Sequence, residues 1–334
     1  IGGYLPLEKV YAFEPVPEEL TEQEGRHVLG AQANLWTEYI KTPEHAEYMA
    51  YPRALALAEV AWTPAPSRDW SGFMARLPAQ LARLDAMGVN YRIPEPTGLK
   101  EDRLTLSDEA VVELGNPLSA GEVRYTLDGS DPGPESPSYR NSLDLKLDAE
   151  GTTISARVFL PGGRGGPIAR ARLARTSLIP AQDIQALQLR HGLRYSYSEG
   201  PFESALEVAD APVIRQGRTS RVELTGDERP EGFGLRFDGY LHVPHDDIYV
   251  FELTSDDGSQ LYLNNELIVN HDGFHGATSK TGAVALASGH HRLSVLFFQA
   301  GGGRDLALRI RSGAGPFRPV PDDWYRSFST EEDE

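Results

Sequence analysis

A change of hydrophobic period near residue 98 constrains this chain more than any other feature. Before it, Phe73, Leu77, Leu81 and Leu84 recur every three or four positions, the spacing of one helical face. After it the pattern alternates, in Leu104–Leu106, Ala110–Leu114, Glu122–Leu127 and Thr153–Phe159. That is the period of strands with one face buried. Turn clusters at 128–133, 148–151 and 161–166 separate these runs. From residue 179 the alternation strengthens, through Phe233–Pro244, Ile248–Leu263, Glu266–Gly273, Gly289–Phe298 and Asp305–Ile310. The chain therefore reads as multidomain and mostly β. A helical segment with one strand spans 1–97, a small antiparallel β-sandwich 98–178, and a larger all-β unit 179–334.

Within the first segment, helix starts are marked by Thr21, by Thr42 with Pro43 at the first helical position, and by Asp69. Pro52 restarts or kinks a helix, and Ala54, Ala56, Ala58 and Ala61 keep that helix thin enough to approach a sheet. Gly88 stands where a C-cap is expected, and Pro78 predicts a bend in the helix before it. Arg53 and Glu59 read as structural pairing residues. Small and apolar residues from Val28 to Leu35 predict a short buried strand feeding a helix. Trp36 and Glu38 follow two apart, on the same side of an extended backbone. An indole face beside a carboxylate suits a sugar, which stacks on the ring and donates hydroxyls to the acid. The same two residues also fit a core tryptophan and a surface glutamate.

The 32 Lys plus Arg against 49 Asp plus Glu argue against nucleic acid and anionic membrane as partners. With no cysteine, there is no disulfide and no thiolate metal site. No apolar run of about 18 residues is present, so no membrane span is expected. The first residue is Ile1 and no leader pattern follows it, so the natural start and any signal peptide are expected upstream.

Two runs, Gly30–Tyr39 and Tyr51–Trp62, preceded by Ile1–Tyr11, resemble the last strand and last helix of the catalytic barrel of glycoside hydrolase family 20, the β-N-acetylhexosaminidases. The resemblance covers roughly residues 1–92 and implies a partial (β/α)8-barrel remnant. It implies hydrolysis of terminal N-acetylglucosamine or N-acetylgalactosamine from β-linked glycans by substrate-assisted retaining catalysis. Trp36 would line the subsite holding the N-acetyl sugar, and Glu38 would accept hydrogen bonds from its outer hydroxyls. The family's Asp-Glu pair in a glycine-rich motif has no counterpart here: Asp108-Glu109, Asp227-Glu228 and Asp333-Glu334 lack that context. No catalytic residue is therefore assigned in this chain, and the chain alone is expected to be inactive. The preceding barrel units are its expected partner. Without them, the apolar faces of 1–92 are expected to be exposed or packed on a makeshift surface. The family implies a periplasmic, cell-surface or secreted location.

Arg124–Pro132 with Ser138 and Tyr139 resemble the immunoglobulin-like domain that follows the barrel in chitobiases; Gly129 reads as a turn residue with positive φ. Residues 190–311 resemble the protective-antigen-type β-sandwich of toxins, adhesins and glycosidases. Asn264 and Asn265 predict its two-residue hairpin turn. Asp256 and Asp257 stand where sugar-binding members of that fold hold calcium, and adjacent carboxylates suit the ion. The later loop, 299–305, lacks the asparagine those members supply, so the pair reads first as a tight turn, with a calcium site at Asp256 and Asp257 as the alternative, and no cofactor is assigned. His242, His245, His271, His275, His290 and His291 have no metal-ligand spacing and read as dispersed surface residues. Gly301–Gly303 reads as a hairpin loop and residues 329–334 as a frayed tail. The alternative function is a non-catalytic, adhesin-like accessory protein whose β-modules bind glycan.

Overall fold

The computed structural model describes residues 5–99, 101–184, 189–313 and 315–328; the expected frayed tail at 329–334 lies outside them. Packing divides the chain into two compact units. One runs through Arg103 and includes Glu109–Leu173; the other holds Leu104–Asp108 and continues from Ala174.

In the first unit the helices are α1 (Leu7–Tyr11), α2 (Glu22–Gly25), α3 (Pro43–Ala50), α4 (Arg53–Trp62) and α5 (Trp70–Ala86). Local chemistry explains their starts. Thr21 forms a capping box with Glu24, Thr42 accepts from the His45 amide ahead of Pro43, and Asp69 accepts from the Ser71 amide. Helix α5 runs unbroken through Pro78, so the ring is accommodated within one helix. Its Phe73, Leu77, Leu81 and Leu84 are all buried. Glu59 of α4 accepts from the Tyr11 hydroxyl at 2.9 Å and pairs with Arg76 of α5 at 2.7 Å, tying three helices together.

Strands β1 (Arg103–Thr105), β2 (Glu109–Val112), β3 (Glu122–Thr126), β4 (Leu143–Lys146), β5 (Thr152–Phe159) and β6 (Gly165–Arg175) follow. Strand β5 pairs antiparallel with β3 and β6, and β2 with β4. The side chains of Leu77, Leu81 and Leu84 share one core with Leu118, Val123, Leu143, Ile154, Ala156 and Val158. The hydrophobic core thus runs across the change of sequence period: the face that α5 turns inward is covered by sandwich strands.

One expected element is not formed. Residues 28–36 carry no strand, and no described strand pairs with them. Leu29 is 97% exposed. A parallel strand takes its hydrogen bonds from neighbours on both sides. The described residues offer it none. The run lies open instead of buried.

The second unit is a β-sandwich. Its strands are β7 (Leu189–His191), β8 (Leu193–Glu199), β9 (Arg215–Thr219), β10 (Phe233–Val243), β11 (Asp247–Asp256), β12 (Ser259–Leu263), β13 (Glu266–His271), β14 (Thr278–Leu286), β15 (Gly289–Gln299), β16 (Asp305–Ser312), β17 (Arg318–Pro319) and β18 (Tyr325–Phe328), with a short helix α6 (Ala205–Val208). One sheet has the order β13-β12-β15-β10-β18-β7, with β8 also paired to β10 and to β9. The other has the order β14-β11-β16-β17. Alternate residues point into the space between them: Phe233, Leu235 and Phe237 from β10, Phe251 and Leu253 from β11, Leu293, Val295 and Phe297 from β15. Asn264 and Asn265 turn β12 into β13 at φ 50° and 69°, values Asn tolerates. Gly301–Gly303 connect β15 of one sheet to β16 of the other, so this loop crosses between the sheets and is not the hairpin loop expected.

Among the described residues no helix is long and apolar enough to cross a membrane.

Candidate functional site

Trp36 closes the open run as the N-cap of a single 3-10 turn, Thr37–Tyr39, that contains Glu38. The extended backbone that would aim both side chains to one side is therefore absent. Trp36 and Tyr39 are each 67% exposed, and Glu38 is exposed. No described hydrogen bond or ring contact fixes the indole or the Glu38 carboxylate. Both groups stand free in solvent, with the ring and acceptor chemistry of a sugar wall but without the geometry of one. Tyr51–Trp62 fares differently: α4 is formed, Ala56 and Val60 are buried, and Trp62 at its end is exposed. Arg53 donates to the Leu5 carbonyl at 3.4 Å and to that of Met49. With Glu59 held by Tyr11 and Arg76, both residues serve packing, as expected.

The Asp256–Asp257 turn joins β11 to β12, and the peptide bond between them is cis. Both carboxylates are buried. Asp257 Oδ1 accepts from the His275 amide at 3.2 Å. Its Oδ2 accepts from the amides of Ala300 at 2.9 Å and Gly301 at 3.3 Å. The carboxylate therefore ties two loops to the turn. Burial and the neighbouring Asp257 charge push the Asp256 carboxyl above the ordinary aspartate range. Gly258 is forced by crowding, since a Cβ there would collide with the Phe298 ring and press on the Gly273 amide. Calcium takes about six to eight oxygen ligands. Asp257 spends both oxygens on main-chain amides, and no group of three His, Cys, Asp or Glu fit for a metal occurs among the described residues.

Two of the six histidines depart from the surface role expected of them, while His245 is exposed. His271 and His291 are buried. His271 stacks on His275 with ring centroids 3.9 Å apart, and His242 faces His290 across the β10–β15 ladder at 4.7 Å. His291 Nε2 lies 2.7 Å from the Ala287 carbonyl and Nδ1 2.9 Å from the Asn264 amide nitrogen, which selects the neutral Nε2–H tautomer. Burial pushes His271, His290 and His291 below the usual histidine range. A strand places every second residue inward whatever its polarity, so a histidine at an inward position is buried with its partners. Alternation at 269–271 and 289–295 was the signal that could have revealed this.

Of the Asp-Glu dipeptides, Asp108-Glu109 leads into β2. Glu228 is spent on the Thr225 and Gly226 amides at 2.6 and 2.9 Å. Asp333-Glu334 lies outside the described residues. Sequence reading passed over Phe274, 62% exposed above the buried Phe298 at 5.7 Å in the loop that Asp257 anchors. A lone aromatic in a loop carries no periodic signal.

Comparison with known proteins accounts for most of the chain. The model described as glycosyl hydrolase family 20, catalytic domain, matches residues 1–65. The chitobiase/β-hexosaminidase C-terminal domain matches residues 103–169, and the PA14 domain residues 189–318. A β-hexosaminidase of Porphyromonas gingivalis is 31% identical over 90% of this chain and 39% of its own length. An N,N'-diacetylchitobiase of Vibrio harveyi is 30% identical over 32% of this chain and 14% of its own. A β-hexosaminidase of Akkermansia muciniphila is 38% identical over 21% and 14%. The chain thus spans about two-fifths of the length of the Porphyromonas relative. In chain order, its three segments match the family 20 glycosyl hydrolase catalytic domain, the chitobiase/β-hexosaminidase C-terminal domain and the PA14 domain, and over nine-tenths of its length it is similar to a β-hexosaminidase.

Proposed function

We propose that this chain is the C-terminal part of an exported β-N-acetylhexosaminidase acting on β-linked N-acetylglucosamine or N-acetylgalactosamine glycans. Residues 28–36 become the last barrel strand when the preceding strands are present. Trp36 and Glu38 then form the final wall of the sugar pocket: the indole stacks on the pyranose and the carboxylate accepts its outer hydroxyls. One observation carries the reading. An apolar run inside the segment matched to the catalytic domain is left unpaired, with Leu29 97% and Trp36 67% exposed. Such a run is a strand awaiting its ladder partners. The Asp256–Asp257 turn is a structural tie between loops, and the β-sandwich that carries it presents glycan to, or holds glycan near, the barrel.

The test is release of p-nitrophenol from its β-N-acetylglucosaminide. No turnover is expected from this chain, and turnover is expected from the longer protein that includes the coding sequence upstream of Ile1. In that protein Trp36→Ala and Glu38→Gln should each lower kcat/KM by about ten- to a hundredfold, the cost of unpaired polar groups and lost stacking. Turnover by this chain alone, or none by the longer protein, would overturn the proposal. Glycan binding without turnover by the longer protein would favour the accessory, adhesin-like reading.

A further inference from the structure

In the first unit a cleft of about 590 Å³ opens between the end of α3, the segment after α5 and the β5–β6 hairpin. Its lining includes Tyr48, Asn90, Arg157, Arg164 and Arg170, with one carboxylate, Asp131. Three guanidinium groups around one opening stand out in a chain of net charge −17. Two of them are neutralised. Arg164 pairs with Asp85 at 3.3 Å and lies over the Tyr91 ring at 3.9 Å, and Arg170 pairs with Asp131.

Arg157 is different. Its Nε donates to the Gly166 carbonyl at 2.5 Å and its Nη2 to that of Gly165 at 3.2 Å. No carboxylate among the described residues meets it. A bulge makes the seat. Arg157 pairs with Ile168 and Phe159 with Gly165, so Val158 faces both Gly166 and Pro167. The extra residue leaves the carbonyls of Gly165 and Gly166 turned to the guanidinium. A Cβ on Gly165 would collide with it. The fork is thus held on one edge, half-buried, with its Cζ 5.3 Å from the Phe159 ring centroid, with no carboxylate partner among the described residues and with its remaining N–H groups unspent. Asn90 gives its Nδ2 to the Glu44 carbonyl at 2.9 Å, which leaves Oδ1 for a hydroxyl. Tyr48 adds a half-buried aromatic ring, with the Arg92 guanidinium 5.2 Å from its centroid and donating to its hydroxyl at 3.0 Å.

We propose that this cleft binds a short acidic saccharide, its carboxylate or sulfate ester on Arg157, its hydroxyls on Asn90 and its ring beside Tyr48. The need for an anion comes from the cleft alone; the choice of a saccharide rests on the glycan reading proposed above. The volume lies within the range of about 300–1,000 Å³ typical of small-ligand sites. A guanidinium fork fixed on one edge suits a planar or tetrahedral oxyanion.

The experiment is calorimetric titration of the chain with four probes: a chondroitin disaccharide carrying only its uronate, the same disaccharide 6-sulfated, neutral chitobiose, and inorganic sulfate. Both acidic disaccharides should bind, and the relative affinities of the uronate and sulfated forms assign the anionic group. Chitobiose should bind at least about tenfold more weakly, as should the acidic probes when sodium chloride rises from about 20 mM to about 500 mM. Arg157→Gln should lose that affinity, and Arg157→Lys, which keeps the charge without the fork, should lose part of it. Equal binding of chitobiose, or indifference to salt in the unmodified chain, would overturn the anionic site without recourse to any variant. Sulfate alone binding as tightly as the sulfated disaccharide would overturn the saccharide. Because no readout is turnover, a failed hexosaminidase assay on the longer protein leaves this result standing, and the reverse holds too.

Discussion

Replacing Leu77 by alanine tests whether the helices and the small sandwich of the first unit form one cooperative body. Leu77 is 1% exposed and shares a core with Ile154 and Val158 of β5. The change removes three buried carbons, about 2.4 kcal/mol at roughly 0.8 kcal/mol for each. A cavity is added, which brings such substitutions to about 2–5 kcal/mol. Against a domain stability of about 5–15 kcal/mol this is a large loss. With a urea slope of about 2 kcal/mol per molar, the midpoint should fall by about 1–2.5 M. The decisive readout is where the loss appears. Amide exchange should quicken equally in α5 and in Thr152–Phe159, because both draw on the same core. Trp70, stacked on Phe73 at 5.7 Å, reports the same transition by fluorescence. Faster exchange in α5 with β5 unchanged would refute the shared core and make the helices a separate, weakly held layer.

The second unit should lose stability on acidification. His271, His290 and His291 are depressed by burial, so their stabilising effect is full above about pH 6.5 and fades as pH falls through their folded values; a flat melting temperature from pH 7 to 5 would contradict this. Asp256 has the opposite sign. Its raised carboxyl favours the folded state below about pH 4 and opposes it as pH rises, so Asp256→Asn should raise the melting temperature at pH 7 and have no effect below about pH 4. Calorimetry with calcium should give no heat and no thermal shift, and a saturable signal would restore the ion to the Asp256–Asp257 turn. Gly129, at φ 78° with Thr153 3.2 Å from the position of an added Cβ, should cost about 1–2 kcal/mol when replaced by alanine; a urea midpoint unchanged from the parent would remove the turn's need for glycine.

Much was legible in the residues themselves wherever the deciding interaction is local. Thr21, Thr42 and Asp69 cap helices because their acceptors reach amides two or three positions on, whatever the rest of the chain does. Asn264 and Asn265 turn a hairpin for the same reason. The alternation in 233–243 and 289–299 determined two long strands and their inward faces. Strands β4 and β6 were not read. Leu143–Lys146 is only four residues long, and Gly165–Arg175 begins in what reads as a glycine turn.

What tertiary structure decided was every outcome that depends on a distant partner. Val28–Leu35 has the composition of a buried strand, yet a strand's hydrogen bonds belong to its neighbours, and without them Trp36 and Glu38 stand in solvent. The burial of His271 and His291 depended on which sheet face closed over them. Arg157 became a fork without a carboxylate partner among the described residues because a bulge in its partner strand turned two carbonyls toward it. Composition and periodicity carry a residue's own preferences, but the occupant of the space beside it is set only when the chain closes on itself.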